Sequence, residues 1–230
     1  MARLSRLVVP NQTHHVIQKG HDEQIIFKDA ADYAIFLDWL KQAADQFNVA
    51  IHAFVLMPSH YHLLVTPEHE KSLSLMMQWL GRYYVPYFNK KYKRSGALWA
   101  GRFKAIVVEA ADYLIQISLY IESNPVRMSL TSLPEDYLWS SYNHHIGCRQ
   151  NPLITEHHIF WDLGNTPFAR EAAYKLAYNQ FSLISEENKI KALSLAIHKS
   201  WTLGSADFKQ SLERQMQRRV QPAQRGRPRI

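Results

Sequence analysis

Two histidines separated by one residue, His60-Tyr61-His62, open a run rich in β-formers, YHLLVT over 61–66. If that run is a strand, its period of two puts both imidazoles on one face and turns Tyr61 to the other. Two nitrogens then converge on one point, which is the start of a metal site, but a pair of structural histidines gives the same pattern and further ligands are needed to separate the readings. Tyr120 and Asn124 stand four apart at the end of a helical segment, so they share a face with the amide oxygen one turn beyond the phenol. Should that face look onto His60 and His62, the cluster holds two nitrogens, one amide oxygen and a nearby hydroxyl. Such an incomplete shell suits Mg²⁺ or Mn²⁺, which keep open positions for phosphate oxygens, whereas a structural zinc site is closed and usually contains cysteine. On spacing alone Tyr120 is equally a core aromatic, and Asn124 a helix terminator before Pro125.

Other residues border these motifs. Arg102, Lys104 and Arg127 flank them and have the charge to grip phosphates, or to sit solvated or paired with acids. His14 and His15 precede a short β-rich run, and one of them can face the site if that strand neighbours the His60 strand; a satisfied sheet histidine is the alternative. Trp99, Trp139 and Tyr142 can stack on bases or pack in the core. Tyr113, Tyr137 and Tyr142 offer the same hydroxyl as Tyr120 and so rival it, but none has an amide at i+4 before a proline. Cys148 is the single cysteine, unable to form an internal disulfide and assigned no role.

The elements that must position these residues follow from periodicity. Residues 13–19 read as a strand ended by the turn residues Gly20, His21 and Asp22. Asp29 is the expected N-cap of an amphipathic helix over 30–47, where Tyr33, Phe36, Leu37, Leu40, Ala44 and Phe47 recur at three and four. Residues 50–57 and 61–66 are strand-like and joined tightly at Pro58-Ser59, which predicts an antiparallel pair. A second helix is expected over 72–92, kinked or interrupted at Pro86. A Gly-punctuated loop feeds a strand over 103–108, and a third helix runs over 111–121. The order βαββαβ is the ferredoxin-like plan, an α+β fold with helices packed on an antiparallel sheet. Strand signals fade beyond about residue 150 and the alternation over 170–199 predicts helix. The expected organisation is therefore a main domain over 1–150, a helical extension over 151–213 and a basic tail over 214–230.

The chain has 230 residues, 47% of them apolar and 20% charged, enough for one good core and an appendage. No apolar run is long enough to span a bilayer or to serve as a signal peptide, so a cytoplasmic location without membrane partners is expected. The formal net charge is +7, and from Arg214 to Ile230 there are six arginines and no acids. A concentrated basic end either binds a polyanion by displacing condensed counterions or remains a solvated tail. Within it, Arg225-Gly226-Arg227-Pro228 resembles the core of an AT-hook, whose arginines enter a narrow minor groove.

Four segments, MPSHYHLLV (57–65), LWAGRFKAIVVE (98–109), YIESNPVRMSL (120–130) and PEDYLWSSY (134–142), closely resemble the tyrosine transposases of the IS200 type. Within that family they are most similar to the branch associated with repetitive extragenic palindromes (REPs) of bacterial chromosomes. The resemblance covers about residues 10–145, with the motifs in order and at family-like spacing. It implies cleavage and rejoining of single-stranded DNA carrying a hairpin. His60 and His62 match the metal-binding histidines, Tyr120 the nucleophile, and Asn124 the polar helix residue that completes the metal site. Related members use other polar side chains at this last position.

The implied chemistry is attack of a tyrosine on a phosphodiester, leaving a 5′-phosphotyrosine and a free 3′-hydroxyl. A free tyrosine has a pKa of about 10 and needs help to attack at neutral pH. Expected partners are hairpin-forming palindromic DNA with single-stranded flanks, in the nucleoid; monomer and homodimer both stay open. Two other readings stand beside this one: an RRM-like nucleic-acid-binding module without catalysis, and a relaxase-like nickase.

Overall fold

A computed structural model describes residues 6–183 and 201–222. Its centre is a four-stranded antiparallel sheet in the order β2-β3-β1-β4, formed by β1 (Thr13–Lys19), β2 (Val49–Met57), β3 (His60–Pro67) and β4 (Lys104–Val108). Helices α1 (Ala30–Phe47) and α2 (Ser72–Lys91) connect the strands, and α3 (Ala110–Glu122) follows β4. This is the expected α+β, ferredoxin-like plan.

The sequence signals translate into elements by ordinary means. Asp29 caps α1, its carboxylate accepting the Asp32 N–H at 3.1 Å. Asn48 ends α1 in the left-handed region, φ 52°, and its N–H bonds Ala44 O, an asparagine where the next tolerant residue would be glycine. Helix α2 continues through Pro86, so of the kink or interruption expected there the interruption is absent. Pro86 lies on the exposed side, between the buried Tyr84 and Phe88, so packing on both sides holds the helix.

The two faces of the sheet are covered separately. On one, Val16, Phe54, Leu56, Tyr61 and Leu63 pack with Phe36, Leu40, Leu80 and Tyr84 of α1 and α2. On the other, Ile17, Ala53, Val55, Leu64 and Ile106 pack with Leu114, Ile117, Tyr120 and Ile121 of α3. A register shift in β2 between Ile51 and Ala53 lets Ile51 and Phe54 serve the same face despite their odd spacing.

Short helices follow α3: α4 (Asn124–Arg127), α5 (Tyr142–His145) and α6 (His158–Trp161), then α7 (Pro167–Leu183) and α8 (Ala206–Met216). Leu119 of α3 joins Tyr142, Phe160, Tyr174 and Tyr178 in a small core on the outer side of α3. The outer edge of β4 is closed by residues 202–203: Leu203 N–H donates to Val107 O at 2.9 Å, and Glu109 N–H donates to Leu203 O at 2.8 Å. An edge strand that would otherwise present unpaired backbone is thereby covered. The helix expected over 170–199 is present up to Leu183; its remainder and the arginines Arg225 and Arg227 lie outside the described residues. Among the described residues, no helix is long and apolar enough to cross a membrane.

Candidate active site

The strand period works as expected. His60 and His62 face α3, while Tyr61 is buried against Phe36, ring centroids 4.8 Å apart, on the opposite side. Gly20 N–H donates to Ser59 O at 2.8 Å, which ties the end of β1 to the turn just before His60. A side chain at Gly20 would put its Cβ 2.3 Å from Gln24 O, so only glycine fits this close crossing.

His60 is half-buried and His62 fully so, their ring centroids 5.3 Å apart at 82°. His60 Nδ1 lies 3.2 Å from Ser59 Oγ. His62 Nδ1 lies 2.8 Å from His15 Nε2, the two rings nearly coplanar at 2° with centroids 5.0 Å apart. His15 therefore belongs to the site, whereas His14 pairs locally with the Val9 N–H and Gln12 O. The β1–β3 register explains the division: Ile17 opposes His62, so alternate residues of β1, His15 among them, share the face of His62.

Tyr120 closes the site from above. Its ring stands edge-on to both imidazoles, 6.2 Å from His15 and 6.1 Å from His62, at 89° to each. The guanidinium carbon of Arg127 lies 4.2 Å from the centre of the Tyr120 ring. Arg127 Nη2 also donates to Tyr120 O at 3.2 Å and to Asn124 Oδ1 at 2.9 Å. Asn124 Nδ2 donates to Tyr120 O at 3.1 Å and Ile121 O at 2.9 Å. With carbonyls on one end of the amide and a cation on the other, its orientation is fixed, and Oδ1 is engaged by Arg127.

Charge states follow from burial. Desolvation pushes the His60 imidazole down to about 4, with Lys19 and Arg127 acting in the same direction. His62 is held well below the ordinary histidine range by burial, then by its neighbours His15 and His60. His15 is pushed down to about 3 by burial. All three are neutral at physiological pH, the form that ligates metals.

A divalent cation fits this donor set in part. Each of His60 and His62 has Nδ1 engaged, leaving Nε2 as the nitrogen to offer, and both are unprotonated. The amide oxygen of Asn124 joins only by parting from Arg127. Among the described residues no group of three or more His, Cys, Asp or Glu is placed to hold a metal.

The opposite side of α3 is anchored by a contact that spacing did not reveal. Glu122, fully buried, accepts from Ser141 Oγ, from His145 Nδ1 at 2.7 Å and from Tyr174 O–H at 2.6 Å. Two residues from Tyr120, this carboxylate binds α3 to α5 and α7 and fixes the helix that carries the phenol. No local pattern signals it, because its partners come from 19 to 52 residues away.

The remaining singled-out residues spread more widely. Lys104 is exposed at the start of β4. Arg102 lines a groove of about 570 Å³ on the α2 side of the sheet, with Arg6, Gln18, Lys71, Gln78 and Trp99. Trp139 stacks on Tyr33 at 4.7 Å, and Tyr142 is buried, so both are packing residues. Of the rival nucleophiles, Tyr137 donates its hydroxyl to Leu56 O at 2.6 Å, and Tyr113 packs at the margin of the α3 core. Cys148 is exposed.

A solved structure of a REP-associated tyrosine transposase bound to a REP hairpin is similar over 68% of this chain and 92% of its own, at 16% identity and a TM-score of 0.54, which shows a shared fold. A crystal structure of a candidate transposase from Deinococcus radiodurans r1 matches 53% of this chain and 97% of its own, at 24% identity and a TM-score of 0.36. No curated protein sequence matches the chain. The family model described as Transposase IS200 like matches residues 8–124, just over half of the chain, and this stretch includes His15, His60, His62, Tyr120 and Asn124. The chain belongs to the IS200-like transposase family, DNA-cleaving and strand-transferring enzymes.

Proposed function

We propose that this protein cleaves and rejoins single-stranded DNA next to a hairpin, with Tyr120 as nucleophile and His60 and His62 holding Mg²⁺ or Mn²⁺. The observation that carries the reading is the seating of Tyr120: its ring stands over the His15–His62 pair with a guanidinium on its face. A phenol used only for packing needs neither neutral imidazoles beneath it nor a cation above it.

In the proposed step the Tyr120 oxygen forms a bond to phosphorus and the bond from phosphorus to the 3′ oxygen breaks. The phenol proton passes to solvent, and the departing 3′ oxygen takes one up, so a 5′-phosphotyrosine and a 3′-hydroxyl result. The 3′-hydroxyl of another strand reverses the step, and joining then requires no ATP because the phosphodiester energy is kept in the link. Arg127, held against the Tyr120 ring, stabilises the negative charge that builds at the phosphate. When bound, the cation neutralises charge on the non-bridging phosphate oxygens and orients the scissile phosphate. Asn124 is proposed to complete the metal site once its oxygen parts from Arg127.

The hairpin substrate is supported by the structural neighbour, which is bound to a REP hairpin. The groove holding Arg6, Lys71, Arg102 and Trp99 has the charge and the aromatic surface to take the flanking strand, and Lys104 and the tail arginines Arg225 and Arg227 add phosphate contacts. Residues 1–150 are proposed as the catalytic domain, with 151–213 and 214–230 as extension and basic tail; the enzyme acts in the bacterial nucleoid. The test is cleavage of a hairpin oligonucleotide with single-stranded flanks. Metal-dependent nicking is expected, and binding without any covalent product would favour the RRM-like alternative.

A further inference from the structure

The pair formed by His15 and His62 raises a question of proton placement. Their rings are coplanar and joined by a single bond of 2.8 Å between His15 Nε2 and His62 Nδ1, and the only other nitrogen of His15, Nδ1, is buried without a hydrogen-bond partner. A hydrogen bond between two ring nitrogens contains one proton, which belongs to one histidine or the other. If His15 owns it, the proton of His62 sits on Nε2 and blocks that nitrogen as a ligand. If His62 owns it, Nε2 carries a lone pair directed away from the pair.

We infer that His15 is a positioning residue: its Nε2 accepts the Nδ1 proton of His62, fixing the tautomer and the ring angle in which His62 presents Nε2 to a divalent cation. The inference rests on the reading of His62 as a metal ligand. Metal-bound histidines commonly donate their second N–H to a carboxylate, carbonyl or water. Here that acceptor is an imidazole, itself held on β1 by the strand register opposite β3. Its remaining proton then sits on Nδ1, the buried nitrogen that has no partner. Two protons are shared by the pair before and after the exchange of tautomers, so no proton is gained or lost by it. The unpartnered Nδ1–H costs stability, in contrast to His14, whose two nitrogens are both satisfied.

The test uses the full chain. Mn²⁺ affinity is measured by titration calorimetry for the wild type, His62→Ala, His15→Phe and His15→Gln, with thermal unfolding of each as a control. His15→Phe removes the acceptor and is expected to weaken Mn²⁺ binding about 10- to 100-fold. His15→Gln offers an amide oxygen to the same Nδ1–H and is expected to recover part of the loss. In parallel, ¹⁵N-histidine NMR of the Mg²⁺-loaded wild type is expected to show the His62 proton on Nδ1. Unchanged Mn²⁺ affinity in His15→Phe overturns this inference alone, as does an Nε2–H tautomer of His62 with Mg²⁺ bound. Mn²⁺ affinity that survives His62→Ala overturns the underlying metal reading as well. Should His15→Phe fail to fold, the tautomer measurement on the wild type decides.

Discussion

The two faces of the sheet are lined by alternate residues of the same strands, yet they are built on opposite terms. Toward α1 and α2 the buried side chains from Val16, Phe54, Leu56, Tyr61 and Leu63 meet further aromatics and aliphatics. Toward α3 the same strands also present His15, His60 and His62, and the facing helix presents a phenol with an arginine on its ring. Burying His15 and His62, and half-burying His60, costs free energy that an apolar face would not spend. The difference teaches a division of labour: one face supplies the stability that lets the other keep polar groups dry, neutral and fixed.

That comparison can be broken first on the apolar face. Phe36→Ala removes a fully buried ring and is expected to cost about 3–5 kcal/mol, so that urea unfolding and DNA cleavage fail together. On the other face activity and stability should part. His62→Ala, or EDTA with the wild type, is expected to bring nicking to background while the loss of unfolding free energy stays well below that of Phe36→Ala. Full nicking with EDTA would remove the metal from the account. Arg127→Ala should slow nicking on the order of a hundredfold with little change in stability, because the exposed guanidinium acts on charge in the transition state.

Buried histidines outside the site sharpen the comparison through pH. His14 and His52 are each pushed down to about 4 in the folded protein, chiefly by desolvation, from an ordinary value of 6.5. Between those values the unfolded chain binds protons that the folded chain refuses, so stability falls as pH drops from 6.5 towards 4 and is level above that window. Urea midpoints across pH 4–8 check this, and a flat profile would contradict it. The smallest effect is expected from the tail. Deleting residues 223–230 removes Arg225, Arg227 and Arg229 and should lower the slope of log affinity for single-stranded DNA against log salt by about 2.

Much of this division was legible in the sequence because it rests on short-range periodicity. The period of two separated Tyr61 from His60 and His62, and the cap at Asp29 with the 3.6-residue repeat gave α1 its bounds. What escaped depends on contacts between distant segments. Choosing His15 over His14 requires the register of β1 against β3, which neither strand shows alone. The commitment of Asn124 Oδ1 to Arg127 follows from the start of α4 just after α3, where a simple i+4 count carries the helix on unchanged. Glu122 looked like one more polar residue of an amphipathic helix, and only the return of α5 and α7 makes it a buried anchor.

The most direct test of the account is whether Tyr120 becomes covalently attached to DNA. A 3′-labelled hairpin oligonucleotide is incubated with protein and Mg²⁺, resolved on a denaturing gel, and the protease-digested adduct is mapped by mass spectrometry. The account predicts label on Tyr120, none with Tyr120→Phe, and nearly unchanged DNA binding by that variant, since only one oxygen is removed. An adduct on Tyr113, Tyr137 or Tyr142, or one that persists in Tyr120→Phe, would contradict it.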